Sequence, residues 1–551
     1  MKRHSMLILA VLTLISACSM KEQTDLILTN AKVYTVNDDF KMAEALAVKD
    51  GKIEAVGSSE KITDQYQAGR VIDLEGKPVY PGFIDPHCHF YGYSMNQRQV
   101  DLVGTTSFSQ IMDKLKAYDQ EHQAEWIVGR GWDQNDWEVQ EFPDRQKLDR
   151  VFPDKPVYLT RIDGHAALVN SVAMNKAGID TDTKVEGGKV EKEDGKPTGI
   201  LIDNAMDLVS DIIPEPTREE KINVLQQGAR NCFGVGLTSV ADAGLGYDAI
   251  TLMDSLQKAG QLKMQTYVML SPTRQNYEQF MEKGPYQTPY MHIESIKLFA
   301  DGALGSRGAC MLEPYSDDPD NTGFLVTPRE EIRKHAQKAY QHDYQVNTHA
   351  IGDSANRVVL EVYSDILGGH NDRRWRIEHA QVIHPDDFSL FGQCSIIPAV
   401  NTTHATSDMY WADERLGQER LKHAYAYKKL LKENGWLPNG SDFPVEHINP
   451  LYGFYAAVAR KDLEGYPEGG FQPENALTRR QALKAMTLWA ARSMFEENLK
   501  GSLEAGKQAD FVVTDRDIMK ADLSRIPETQ VLRTFIQGEE VYHRADSRSK
   551  R

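Results

Sequence analysis

The stretch Pro81-Gly82-Phe83-Ile84-Asp85-Pro86-His87-Cys88-His89 sets two imidazoles one residue apart, at the end of an apolar run that follows a Pro-Gly turn. Successive side chains on a strand point to opposite faces, so His87 and His89 share a face and Cys88 takes the other. Such a pair supplies half of a metal site, and among 16 histidines it means little unless other ligands join it. Later apolar runs also carry groups of this kind. Lys297 lies in Ile293 to Phe299, His349 ends the run from Tyr344, His379 ends the run from Trp375, and Asp442 sits in Gly440-Ser441-Asp442. Imidazole nitrogens and a carboxylate oxygen suit Zn²⁺ or a similar ion.

These groups need a scaffold that gathers strand ends. From Thr217 onward helical segments alternate with short apolar runs, among them Leu237 to Val240 before Asp242, and Thr266 to Leu270. That alternation predicts a parallel α/β fold. In a (β/α)8 TIM barrel the C-terminal ends of different strands meet at one mouth. The intervening pattern predicts a helix over 327–342 with Ala336, Ala339 and Tyr340 on one side, and Thr478 with Gln481 reads as a capping box opening a helix to about Met494. After His89 an irregular, aromatic-rich stretch (about 92–235) contains Gly129 to Trp137, Arg161 to His165, and a Gly-rich hairpin near Gly187-Gly188 and Asp194-Gly195. It reads as a large insertion after the first strand, capping a site. Both chain ends read as short strands, and residues 25–79 and 501–545 are expected to pair into one small β-sandwich beside a barrel spanning 80–500. The Pro81-Gly82 turn is the seam between them.

The chain has 551 residues, 41% hydrophobic and 26% charged, with 63 Lys and Arg against 80 Asp and Glu and a net charge of −17. A nucleic-acid surface needs a basic stripe, so this class is disfavoured. Lys2, Arg3 and His4 followed by the apolar run Met6 to Ile15 form a targeting segment too short to span a membrane. Ile15-Ser16-Ala17-Cys18 resembles a bacterial lipobox, which makes residues 1–17 a lipoprotein signal peptide, Cys18 the lipidated residue and 18–24 a linker. The expected location is extracytoplasmic, on the periplasmic side or cell surface of a bacterium, with the membrane engaged through the lipid anchor only. Cys88, Cys232, Cys310 and Cys394 are widely scattered and read as free, buried thiols.

The motifs Pro81 to His89, Lys297-Leu-Phe-Ala-Asp-Gly-Ala-Leu-Gly-Ser-Arg307, Thr348-His-Ala-Ile-Gly-Asp353, Ile377-Glu-His-Ala380, Gly440-Ser-Asp-Phe-Pro444 and Gly501-Ser-Leu-Glu-Ala-Gly-Lys-Gln-Ala-Asp510 occur in this order over nearly the whole chain. Together they resemble the amidohydrolase superfamily, specifically the amidohydrolase family 3 group that includes N-substituted formamide deformylases. The resemblance implies a binuclear site. His87, His89 and Asp442 would hold one divalent ion, expected to be zinc, and His349 and His379 a second. A plain ammonium has no lone pair for a cation. In the related enzymes such a lysine is carboxylated, and a Lys297 carbamate would bridge both ions. A hydroxide between the ions would attack the substrate carbonyl, with Asp442 accepting its proton and passing it to the departing nitrogen.

The function so implied is hydrolysis of a C–N bond in an amide-like, non-peptide small molecule. Deacetylation, cyclic-amide hydrolysis and ester hydrolysis would use the same chemistry. A solute-binding lipoprotein without catalysis is the reading of another class, and the complete ligand set argues against it. Trp132, Asp133, Asp163 and His165 in the insertion, Arg307 on its Gly/Ser loop and His404 are candidates for contacting substrate. At Asn401-Thr402 family members often show Gln-Pro, a departure bearing on substrate details. A homo-oligomer is compatible with all of this.

Overall fold

The computed structural model describes residues 21–122 and 124–545. Its centre is a parallel sheet of seven strands: β1 (Phe83–Cys88), β2 (Leu237–Leu245), β3 (Gln265–Leu270), β4 (Met291–Phe299), β5 (Gln345–Ala350), β6 (Arg376–His379) and β7 (Ile397–Ala399). Each pairs with its neighbour in chain order. Almost every residue in them is buried, as expected for strands covered on both faces. The TIM-like barrel is therefore present, with one departure. Where an eighth strand would stand, residues 437–443 form only an isolated parallel bridge, Asn439 to Val400, yet they bond to both open edges. Gly440 N donates to Val400 O at 3.0 Å on the β7 side, and Asp442 N donates to His87 O at 2.8 Å on the β1 side.

The helix over 329–341 forms as expected, with Ala336 and Ala339 fully buried. Tyr340 instead faces outward at 39% exposure, because one more residue rotates the side chain by about 100° around the helix. The capping box at Thr478 is present, but its helix stops at Ala485. Thr487 has non-helical backbone angles, and a second helix covers Leu488–Ser493.

The insertion is more regular than expected. It forms a six-stranded sheet of mixed direction between Val100 and Asp203, with an apolar cluster around Leu115, Trp132 and Leu159 and another around Trp126, Ala167 and Leu201. Its C-terminal limit also falls earlier than 235. Thr217 and Glu220 form a capping box that opens the helix Arg218–Gly234, whose Leu225, Cys232 and Phe233 belong to the barrel core.

The chain ends build two facing sheets. Four strands come from residues 22–73, and a second sheet joins Pro78–Pro81 to Phe511–Thr514 in antiparallel register. Leu26, Leu46 and Val48 of one sheet and Val79, Phe511 and Phe535 of the other share one cluster. The first strand starts at Glu22, so residues 22–24 belong to a sheet rather than to a linker. Gly82 joins this unit to β1 where a Cβ would lie 2.2 Å from Thr238 Oγ1, so only glycine fits. Cys88, Cys232, Cys310 and Cys394 are free, and all but the half-buried Cys310 are buried. The signal peptide and Cys18 lie outside the described residues. No helix among those described is long and apolar enough to cross a membrane.

Candidate metal centre and its cavity

His87 is the last residue but one of β1 and His89 lies just past its end, while Cys88 between them turns its Sγ towards Ala241 O in the core. Asp442 Oδ1 stands 3.3 Å from His87 Nε2 and 3.2 Å from His89 Nε2. One ligand atom from each of the three lies within 4.8 Å of the others. Asp442 has φ +61°, and this left-handed turn aims its carboxylate back at the histidines. Lys297 Nζ is 3.2 Å from His87 Nε2. The His349 and His379 rings are 4.5 Å apart, and His379 is 5.0 Å from His87. The barrel thus brings all six candidates together, because five lie at or near the C-terminal ends of their strands and Asp442 lies on the segment that bridges β7 and β1 at the same end.

Several residues hold these groups in place. Glu378 bonds His87 Nδ1, which leaves Nε2 towards Asp442 and Lys297. Arg376 grips both oxygens of Glu378 at 2.7 Å and bonds Pro86 O with the same guanidinium. Asp85 accepts from His87 N and from Ser441 Oγ at 2.6 Å, tying β1 to the segment that carries Asp442. Asn401 Oδ1 lies 2.9 Å from His379 Nδ1, so the Asn401-Thr402 departure supplies a partner for a candidate ligand. Sequence reasoning assigned no role to Asp85, Arg376 or Glu378. Asp85 and Glu378 stand inside the quoted motifs, one or two residues from the histidines, and that proximity was the available signal.

Burial sets the charges. It pushes Lys297 down to about 8, with Glu378 and Asp442 opposing, and holds His349 and His379 well below the usual imidazole range. Burial would raise Asp442 and Glu378. The His87 imidazole outweighs it at Asp442, and Arg376 with His87 outweighs it at Glu378, which is held at about 2. An ionised carboxylate grouped with four imidazoles, beside an amine whose pKa burial lowers, is a donor set suited to a divalent ion.

A cavity of about 660 Å³ opens above these residues. His349, His379, His404 and Asp442 line it from the barrel, and Arg130, Asp133, Asp163 and His165 from the insertion. Arg161, fully buried, binds both Asp133 and Asp163. The His404 ring stacks on His379 at 5.6 Å, with Nε2 4.0 Å from Asp442 Oδ2. Two candidates lie elsewhere. Trp132 is fully buried in the insertion core, with Nε1 donating to Leu159 O, because the strand Ile127–Trp132 turns it away from the mouth. Arg307 pairs with Asp317 at 2.9 Å and does not line the cavity.

Residues 70–542 match the amidohydrolase family. The LONG AFTER FAR-RED 3 protein of Arabidopsis thaliana is 32% identical over 94% of this chain and 91% of its own length. The N-substituted formamide deformylase of Arthrobacter pascens is 26% identical over 96% of this chain and 100% of its own. Among solved structures, an uncharacterized metal-dependent hydrolase from Pyrococcus horikoshii OT3 superposes with a TM-score of 0.74 at 29% identity, covering 90% of this chain and 99% of that one.

Proposed function

Since the chain belongs to the amidohydrolase family, group 3, and is a metal-dependent hydrolase of that family, we propose that it cleaves a C–N bond of an amide-like, non-peptide small molecule. The observation that carries this reading is the ionised Asp442 carboxylate, set between two imidazoles and lining the cavity. The deformylase relative, by its name, acts on a substituted formamide, a substrate of this class.

His87, His89 and Asp442 would hold one divalent ion, and His349, His379 and Lys297 would complete a second position, with zinc the proposed metal. Such ions supply Lewis acidity towards a carbonyl and a water activated near neutral pH. Lys297 would enter by forming a bond from its neutral Nζ to the carbon of CO₂ and losing a proton, which gives a carbamate with two ligand oxygens. Burial lowers its pKa to about 8, which favours the neutral amine that reacts. Asp442 accepts the proton released from the attacking water and delivers it to the departing nitrogen, because an amide leaves poorly as an anion. The insertion wall excludes bulk water and meets the rest of the substrate. We also place the protein at the membrane through lipid on Cys18, outside the cytoplasm.

The test is an activity screen of zinc-loaded protein against N-formyl, N-acyl and cyclic amides, with esters as the competing class. Asp442→Asn should lower kcat by about 10²-fold to 10⁴-fold. Full activity in that variant, or turnover of esters alone, would overturn the reading.

A further inference from the structure

The cavity wall carries more acid than the metal centre uses. Apart from Asp442, carboxylates outnumber guanidiniums on it by six to two. Both guanidiniums are already engaged. Arg161 pairs with Asp133 and Asp163, and Arg130 donates to the backbone oxygens of Arg161 and Ile162 at 3.1 and 2.8 Å. Asp408 and Glu446 are half-buried on this wall, and among the described residues neither is in an ion pair.

These two carboxylates converge on one hydroxyl. Ser407 Oγ lies 2.7 Å from Glu446 Oε1 and 3.5 Å from Asp408 Oδ1. A hydroxyl has a single proton to donate, so it satisfies one of them and leaves the other short of a donor. The second oxygen of Asp408 accepts from Tyr425 OH at 2.7 Å and from Gln381 Nε2 at 3.2 Å. Glu446 has no side-chain partner but Ser407 among the described residues. Burial raises both carboxyls, Asp408 to about 7 and Glu446 to about 8, with neighbouring carboxylates adding to the effect. A cation placed between two such groups relieves both.

His404 points to a ligand independently. Its side chain is 8% exposed and lines the cavity, and its Nε2 has no hydrogen-bond partner. His404 and Asp408 are four residues apart on the helix Thr402–Asp408, so they share a face, about 6 Å apart along the axis. Because His404 stands beside Asp442, the paired carboxylates lie about one helical turn from the metal centre. They are separate from the donor cluster there, which takes in His87, His89 and Asp442.

We propose that Asp408 and Glu446 form a specificity site for a cationic nitrogen, so that the substrate is an amide whose chain ends in a protonated amine. The ammonium donates to both carboxylates, and the amide group lies beside Asp442 and the free Nε2 of His404. This rests on the C–N reading above and deepens it by naming the substrate class. No covalent bond changes at Asp408 or Glu446.

The experiment compares zinc-loaded wild type, Glu446→Gln and Asp408→Asn with two formamides of equal length. N-formyl-1,4-diaminobutane ends in an ammonium group, and N-formylpentylamine ends in a methyl group. Steady-state kinetics and calorimetric binding are read together with metal content. Wild type should favour the ammonium compound by about 10-fold to 100-fold in kcat/KM and in affinity, as hydrogen bonds to a charged group do. In each variant that ratio should drop by about 10-fold. The ratio compares two compounds on one protein, so a general loss of folding or turnover does not move it. No binding of the ammonium compound by wild type, equal binding of the two, an unchanged ratio in both variants, or loss of metal in both would each overturn the proposal. If wild type prefers the ammonium compound in binding, the variants lose that preference, and no amide is hydrolysed, then the C–N reading is wrong and the cation site stands.

Discussion

A buried imidazole is useful to a metal only if the right nitrogen faces it, and here carboxylates decide that. Glu378 takes His87 Nδ1, and Arg376 takes Glu378, a chain of charge-assisted bonds with no exposed member. Glu378→Gln should therefore weaken metal binding by about 10-fold to 100-fold, measured by chelator competition, with little change in overall secondary structure. The same residue predicts an acid limit. Its pKa is about 2 in the folded protein against an ordinary 4.5, so it favours the fold above about 4.5 and that contribution is lost as the pH falls from there towards 2. Acid titrations followed by circular dichroism should show a stability loss in this window that Glu378→Gln lacks. Among the sequence candidates, the histidines and Asp442 were legible because metal-ligating types ended apolar runs. Arg376 was not, since an arginine inside a strand is ordinarily exposed and only the fold shows it buried against Glu378.

At the scale of elements, the segment closing the barrel carries more than its irregular backbone suggests. A Cβ on Gly440 would lie 2.8 Å from Asp85 Oδ1 and 2.8 Å from His87 N and O. Gly440→Ala should push this segment off β1 and carry Asp442 with it. Overpacking of this kind costs about 1–3 kcal/mol, and we expect weakened metal affinity by calorimetry together with a lower unfolding midpoint. The insertion behaves as a separate element. Trp132→Ala removes its central core side chain and should loosen it, raising proteolytic cleavage within 100–210 while the barrel keeps its metal. Cleavage unchanged from wild type would contradict that role. The strand-helix alternation of the barrel was readable in the chain because buried parallel strands are continuous apolar runs. The insertion was not, because its strands interleave glycines, charges and aromatics, and the two faces of the sheet bury different residues.

Over the whole molecule, two units meet at one cavity, the barrel supplying the ligands and the insertion the roof, while the paired chain ends brace β1. The proposed lipid anchor adds a fourth level. Cys18→Ser should move the protein from the membrane to the soluble fraction without changing its turnover, and retention at the membrane would contradict the anchor. By itself, the sequence determined the barrel, the six candidate ligands and the family, because these rest on residue types at strand ends and on motifs that stay local in the chain. The tertiary structure alone decided which nitrogen of His87 is free, that Trp132 and Arg307 lie away from the cavity, and that Glu446 meets Ser407. Those facts depend on contacts between residues from 10 to 291 positions apart. Local pattern sets where a side chain sits on its strand, while only packing sets what it touches.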